Sequence, residues 1–278
     1  MRLIQALGLA GGVLMAAGTA QAHYPFVAPL SYQTFNNHTA IISGFYDNPF
    51  VSEIAIKNFK FGVYSPAGAK LELTEADLVR TQTLSSYSLE NKVDGTYRIR
   101  GEKTGSISSF AQVNKEWKAL IGGQSAADKP NNPNVVYRSQ LAKNAKIKIV
   151  QTHEIIETFI SRRIISHAAV KQLHGGFDVQ FLTHPNAIRV NQPIQFKILD
   201  EGQGVNHLNA EILMQTTNFS REGKILQSIK TDAQGTLNFV LPEKGQYLLN
   251  IDYQQPFDHK GNELKRYKYT LSFNVTAD

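Results

Sequence analysis

Phe177-Asp178-Val179-Gln180-Phe181-Leu182 opens the stretch on which the fold turns. Apolar and polar residues alternate there with the two-residue period of a strand that buries one face. The pattern returns at Ile194-Gln195-Phe196-Lys197-Ile198-Leu199, after Ala187-Ile188-Arg189-Val190 and the turn signal Asn191-Gln192-Pro193. Asp200-Glu201-Gly202-Gln203-Gly204 reads as a turn and Ala210-Glu211-Ile212-Leu213-Met214 as the next strand. Thr231-Asp232-Ala233-Gln234-Gly235 turns the chain into Thr236-Leu237-Asn238-Phe239-Val240. Pro242-Glu243-Lys244-Gly245 leads into Gln246-Tyr247-Leu248-Leu249-Asn250-Ile251, and residues 267–275 close the sheet. About seven short strands separated by turns in roughly 100 residues describe an Ig-like sandwich.

The preceding residues carry the same signature. Thr39-Ala40-Ile41-Ile42-Ser43-Gly44-Phe45 follows the turn signal Asn36-Asn37, and Asn58-Phe59-Lys60-Phe61-Gly62-Val63-Tyr64 alternates up to Ser65-Pro66-Ala67-Gly68. Lys70-Leu71-Glu72-Leu73, residues 93–100, 106–113, 145–150 and 155–165 also read as strands. Short helical turns are predicted at 74–80 and 137–144, and a long loop from Gly122 to Pro133. Phe59, Phe61, Tyr64, Phe239, Tyr247, Tyr253 and Trp117 are the expected aromatic core. The loop around Gln172-Leu173-His174-Gly175-Gly176 marks a boundary. The fold expected is therefore all-β: two β-sandwich domains in series, 23–170 and 176–278, the second Ig-like or prealbumin-like, after a segment at 1–22.

That first segment reads as an export signal. Arg2 is followed by an apolar run from Leu3 to Ala17, and Thr19-Ala20-Gln21-Ala22 places small residues at −3 and −1 of a cleavage site. The run is shorter than the ~20 residues that span a bilayer. A signal peptide, cleaved after Ala22, is expected, with a periplasmic product that is not inserted in the membrane.

Composition removes several classes of chemistry. The 278 residues contain no cysteine, which excludes disulfides, thiolate metal sites and a cysteine nucleophile. The net charge of +6 is spread along the chain instead of forming a basic run, and with export this argues against a nucleic-acid partner. No G-x-S-x-G elbow, S-x-x-K pair or phosphate-cradling glycine loop is present, so no enzymatic activity is expected.

Cleavage after Ala22 would leave His23 as the first residue. An N-terminal histidine carries an α-amine (pKa ~7.7–8.0) and an imidazole (pKa ~6.5), and both can lose their protons near neutral pH. Together they chelate borderline divalent metals such as nickel, cobalt, zinc or copper, and affinity order alone does not choose among them. At least one further donor from the fold is needed.

Three features add a resemblance: the junction Ala22-His23-Tyr24-Pro25-Phe26-Val27-Ala28-Pro29, the strand Thr152-His153-Glu154-Ile155-Ile156-Glu157-Thr158-Phe159-Ile160, and the ordered pieces Gly176-Phe177-Asp178-Val179, Thr183-His184-Pro185-Asn186, T-D-A-Q-G and L-P-E-K-G-Q-Y. In this order they resemble a bacterial periplasmic family described as the periplasmic component of a cobalt/nickel ABC-type transport system. The resemblance implies a metal-uptake role beside an inner-membrane transporter, and it pairs His153 with His23 as metal ligands. Of the other histidines, His38 reads as a solvated turn residue and His184, before Pro185, as a structural hydrogen-bonding group. His167, His174, His207 and His259 fall in loops or near the boundary. Two other functions remain open from the sequence: a structural or adhesive module that binds protein or glycan without metal, and a copper-dependent polysaccharide oxygenase.

Overall fold

The computed structural model describes residues 24–123, 125, 128–216, 224–256 and 262–277. The predicted signal segment, His23 and His259 lie outside the described residues. The strands begin with β1 (Tyr24–Pro29), β2 (Gln33–Thr34), β3 (His38–Tyr46), β4 (Lys60–Tyr64), β5 (Lys70–Leu73) and β6 (Val79–Arg80). They continue with β7 (Ser85–Glu90), β8 (Gly95–Val113), β9 (Glu116–Ile121), β10 (Val135–Tyr137) and β11 (Ile147–Arg162). After the one-turn helix α1 (Ala168–Lys171) come β12 (Phe177–Phe181), β13 (Ile194–Asp200), β14 (Gln203–Gly204) and β15 (Asn209–Met214). β16 (Lys224–Lys230), β17 (Thr236–Phe239), β18 (Gly245–Pro256) and β19 (Glu263–Val275) complete the chain.

Two compact units are present. The smaller, residues 109–147, holds the end of β8, β9 and β10. There β8 and β9 form an antiparallel hairpin and β10 pairs parallel to β9. Trp117, expected in the core, is half-buried on β9.

The larger unit, residues 24–108 with 148–277, stacks sheets on both faces of one central sheet. Its central strands run in the order β8, β11, β19, β18, β15, β16. The sheet β1-β3-β7-β6 covers one face, and β12, β13 and β17 cover the other. Alternation explains the split. On β11, Ile156 and Ile160 join the core with Val27, Ile41 and Ile99, whereas Ile155 and Phe159 join Phe177, Phe196 and Phe273 on the opposite side. The two sandwiches expected in series are thus linked: β11, from the stretch 23–170, pairs parallel with β19, from 176–278. β1 was not foreseen because of Pro25 and Pro29, which an edge strand tolerates. β8 runs unbroken where two strands were expected, passing through Gly105 in a left-handed conformation.

Two sequence pieces from the last hundred residues acquire physical reasons. In the turn at 231–235, Asp232 Oδ1 accepts hydrogen bonds from the amides of Gln234 (2.9 Å) and Thr236 (2.8 Å). Gly235 there has φ +84°, and a Cβ would stand 2.7 Å from the Val205 amide nitrogen. Gly235→Ala is expected to destabilise the protein by more than about 1 kcal/mol, read as a lower urea midpoint at unchanged m-value. At 241–247, the buried Tyr247 donates its hydroxyl to the Glu243 carbonyl (2.7 Å), the hydrogen bond of a tyrosine corner.

Candidate functional site

β1 delivers the start of the described chain onto one face of the central sheet. Ser272 Oγ donates to the Val27 carbonyl (2.7 Å), and Phe26 and Ala28 pack with Tyr46, Leu213 and Leu248. Tyr24 pairs in register with Tyr46 of β3, whose hydroxyl donates to Asn250 Oδ1 (2.9 Å). The ring of Tyr24 lies 5.1 Å from the Lys268 amine.

Strand register places two polar rows beneath this point. Lys268 of β19 stands between Glu154 of β11 and Asp252 of β18, and Asn250 stands between Thr270 and Glu211 of β15. Most of the charges are paired. Arg266 holds Asp252 through two hydrogen bonds, one of them 2.8 Å, and Lys103 approaches Glu154 at 3.4 Å. Burial pushes the Lys268 amine down, with nearby Arg266 adding to the effect. Glu211 is half-buried, and burial followed by the Asp252 charge pushes its carboxyl up. The Tyr24 phenol is raised by burial and then by Asp252.

His153 sits on β11 as a strand residue, but on the other face. It is the register partner of Tyr267, and their rings lie 5.3 Å apart. Tyr267 in turn stacks on Phe177 (5.2 Å, 17°) of β12. Because successive strand residues point to opposite faces, the Tyr267 row looks away from the Lys268 row that Tyr24 covers. Burial, then the Lys265 charge, lowers the His153 imidazole, and its Nε2 is buried without a hydrogen-bond partner.

The remaining histidines divide as their surroundings dictate. His184 is buried: Nδ1 accepts the Asn186 amide (3.1 Å), so the ring is protonated on Nε2, which donates to the Ser166 carbonyl (3.0 Å). This is the structural role expected for it. His38 is exposed, 3.8 Å from Glu90, and His207 is exposed in a turn. His167 is exposed with its ring 5.2 Å from that of His184. His174 bonds the Tyr64 hydroxyl through Nε2 (2.8 Å) and approaches Asp178 through Nδ1 (3.3 Å). Among the described residues no group of three or more His, Asp or Glu side chains is arranged to hold a metal.

A second cluster was not foreseen. Arg98, fully buried, bonds Glu157 through Nε and donates through Nη1 to the Gln172 carbonyl (2.5 Å). Arg100 donates to Asp178 (3.0 Å), and Tyr269 donates to Glu157 (2.6 Å). The Arg98 guanidinium also lies over the rings of Phe159 (5.6 Å) and Phe181 (5.8 Å). Burial alone would raise Asp178, but the His174 hydrogen bond and the two arginines hold its carboxyl down to about 2. The network ties β8, β11 and β19 of the central sheet to β12. It is neutralised and closed to solvent, which fits a structural role. A lone charge in the apolar run Ile155-Ile156-Glu157-Thr158-Phe159 was the signal that could have revealed it.

The described chain is thus a nearly all-β protein of several stacked sheets. It belongs to the family described as Domain of unknown function (DUF4198), which matches residues 20–255. No curated protein matches the chain. Among solved structures it is similar to elastase-activated Escherichia coli alpha-2-macroglobulin, with 8% identity and TM-score 0.22 over 90% of this chain and 20% of that one. It is also similar to a DUF4785 family protein from Legionella pneumophila, with 9% identity and TM-score 0.23 over 88% of this chain and 54% of that one. A marsupial T cell receptor is matched at 8% identity and TM-score 0.22, over 92% of this chain and 72% of that one. The chain spans a fifth of the length of the macroglobulin and about half of the Legionella protein. Among the described residues no helix is long and apolar enough to cross a membrane.

Proposed function

We propose that the protein is exported to the periplasm, loses residues 1–22, and binds a divalent transition metal through the amine and imidazole of His23 in support of metal uptake. The observation that carries this reading is the sequence itself: a cleavage site after Ala22 would leave His23 with a free amine beside its imidazole. Nickel, cobalt, zinc and copper all suit an amine–imidazole pair, and an inner-membrane uptake transporter is the proposed recipient. The role is carriage, not catalysis. His153 is the second ligand in this proposal, and its ring lies on the face opposite the one that Tyr24 covers. Titration of protein beginning at His23 with Ni²⁺, Zn²⁺ and Cu²⁺ in a calorimeter tests the reading. Saturable binding of at least one ion near 1:1 is expected, and no heat with any of them overturns it.

A further inference from the structure

Four large apolar side chains stand in solvent at one end of the larger unit. Phe35 is 80% exposed, and Leu30, Val93 and Ile164 are each more than half exposed. Among the described residues none of the four belongs to a core cluster. Hydrogen bonds bring three of their turns together. The Thr34 carbonyl accepts the Arg163 amide (3.0 Å), the Asn37 carbonyl accepts the Asn91 amide (2.8 Å), and Arg162 bonds both Asn37 Oδ1 (2.8 Å) and Asp94. Phe35, Val93 and Ile164 are thus tips on turns that the fold clamps to one another. Leu30 follows β1 on the same side, its amide bonded to the carbonyl of Ala40 (2.9 Å) near the start of β3.

Apolar side chains gathered in this way mark an interaction site, whereas single exposed ones do not. The charges around them choose the occupant. Asp94 faces two guanidiniums, that of Arg162 and, at 3.7 Å, that of Arg163, so one positive charge is left over. Lys92, next to Val93, pairs with the exposed Glu90. Exposed pairs of this kind are weak, so Lys92 and Arg163 can turn to phosphates with little lost. Apolar tips that enter the acyl boundary, flanked by cations that meet headgroup phosphates, match an anionic bilayer surface. Tips on separate turns enter a fluid surface one by one, without the matching relief that a protein partner would have to supply. Because the turns are already clamped, binding costs little further ordering.

We infer that this end of the protein docks on anionic phospholipid, with Phe35, Val93 and Ile164 in the headgroup boundary and Lys92 and Arg163 on the phosphates. The contact is peripheral and reversible, since side chains enter and the backbone stays outside. The net charge of +6 acts in the same direction. The inference is independent of the metal-binding reading.

The test is co-sedimentation of protein beginning at His23 with vesicles of phosphatidylglycerol and phosphatidylcholine in equal parts. Residues 1–22 are left out because their apolar run would itself enter lipid. The wild-type chain is compared with the double variant Phe35→Asp, Ile164→Asp, and with Ile225→Asp on β16 as an exposed apolar control elsewhere. Thermal melts establish that each is folded. The double variant is expected to partition about tenfold or more weakly, and Ile225→Asp to stay within about twofold of the wild-type chain. Raised salt, or vesicles of phosphatidylcholine alone, should weaken wild-type binding. Should the double variant not fold, Phe35→Ser alone is expected to weaken partition about threefold or more. No sedimentation of the wild-type chain with the mixed vesicles, or wild-type partition by the folded double variant, overturns the assignment. So does a dimer in light scattering that the double variant disperses, which gives the patch to a second copy of the chain.

Discussion

Arg98→Met is expected to destabilise the protein by about 3–5 kcal/mol, measured by urea unfolding. Methionine fills much of the same volume and can rest on Phe159 and Phe181, so packing is largely kept. What is lost is the cation between two carboxylates that are 0% and 1% exposed, Glu157 and Asp178. An uncompensated buried charge is the costly state, not the absence of a pair. Arg98→Met with Glu157→Met should therefore lose less than the sum of the single changes. A loss under about 1 kcal/mol for the single variant would show that the network contributes little. The same cluster sets a pH dependence. The Asp178 carboxyl is held at about 2 when folded, against ~3.9 in an unfolded chain, so on acidification the unfolded chain takes up its proton first. Its contribution is complete above about pH 4 and disappears as pH falls through about 2. In Asp178→Asn this part of the acid sensitivity should be missing.

Protein that retains Ala22 is expected to bind divalent metal at least about tenfold more weakly than protein beginning at His23, about 1.4 kcal/mol by calorimetry. The His23 nitrogen then becomes an amide and no longer a basic donor, so the extra residue breaks the chelate formed within one residue and moves the free amine one residue away. The pH profile reports on the same donors. With amine and imidazole both coordinating, affinity falls as pH drops below about 8 and falls more steeply below about 6.5, because protons compete for each donor in turn. The Ala22-bearing chain keeps a free amine one residue earlier, so it should differ in the strength of binding more than in the number of phases. Equal affinity in the two forms would remove the amine from the site.

Strands were legible wherever one face is buried and the other is not. Residues 60–64, 70–73, 194–200 and 236–239 match the alternating runs closely. The central sheet was harder to read because both of its faces are covered. Tyr97-Arg98-Ile99-Arg100 looks like a half-exposed strand, yet Arg98 and Arg100 are buried against Glu157 and Asp178, 59 and 78 residues away along the chain. Such pairings are set by sheet order, which local patterning does not encode. β16 is the last strand on its side of the central sheet, and its apolar residues Ile225, Leu226 and Ile229 do not alternate with polar ones, so no two-residue period signals it.

The site was legible in part for the same reason. The chelating character proposed for His23 depends only on its being the first residue, and needs no fold. The surroundings of the other polar groups are not local. His153 was placed correctly on a strand, but which face it takes follows from its register with Tyr267. Glu211 and Asn250 become neighbours only through the pairing of β15 with β18. Neither belongs to a motif.

Mass spectrometry of the intact protein recovered from the periplasm bears most directly on the idea that trimming creates the binding group. The mass expected is that of residues 23–278, with His23 as the free N-terminus. A mass corresponding to any other first residue, or to an intact signal segment, would contradict it and leave only the β architecture standing.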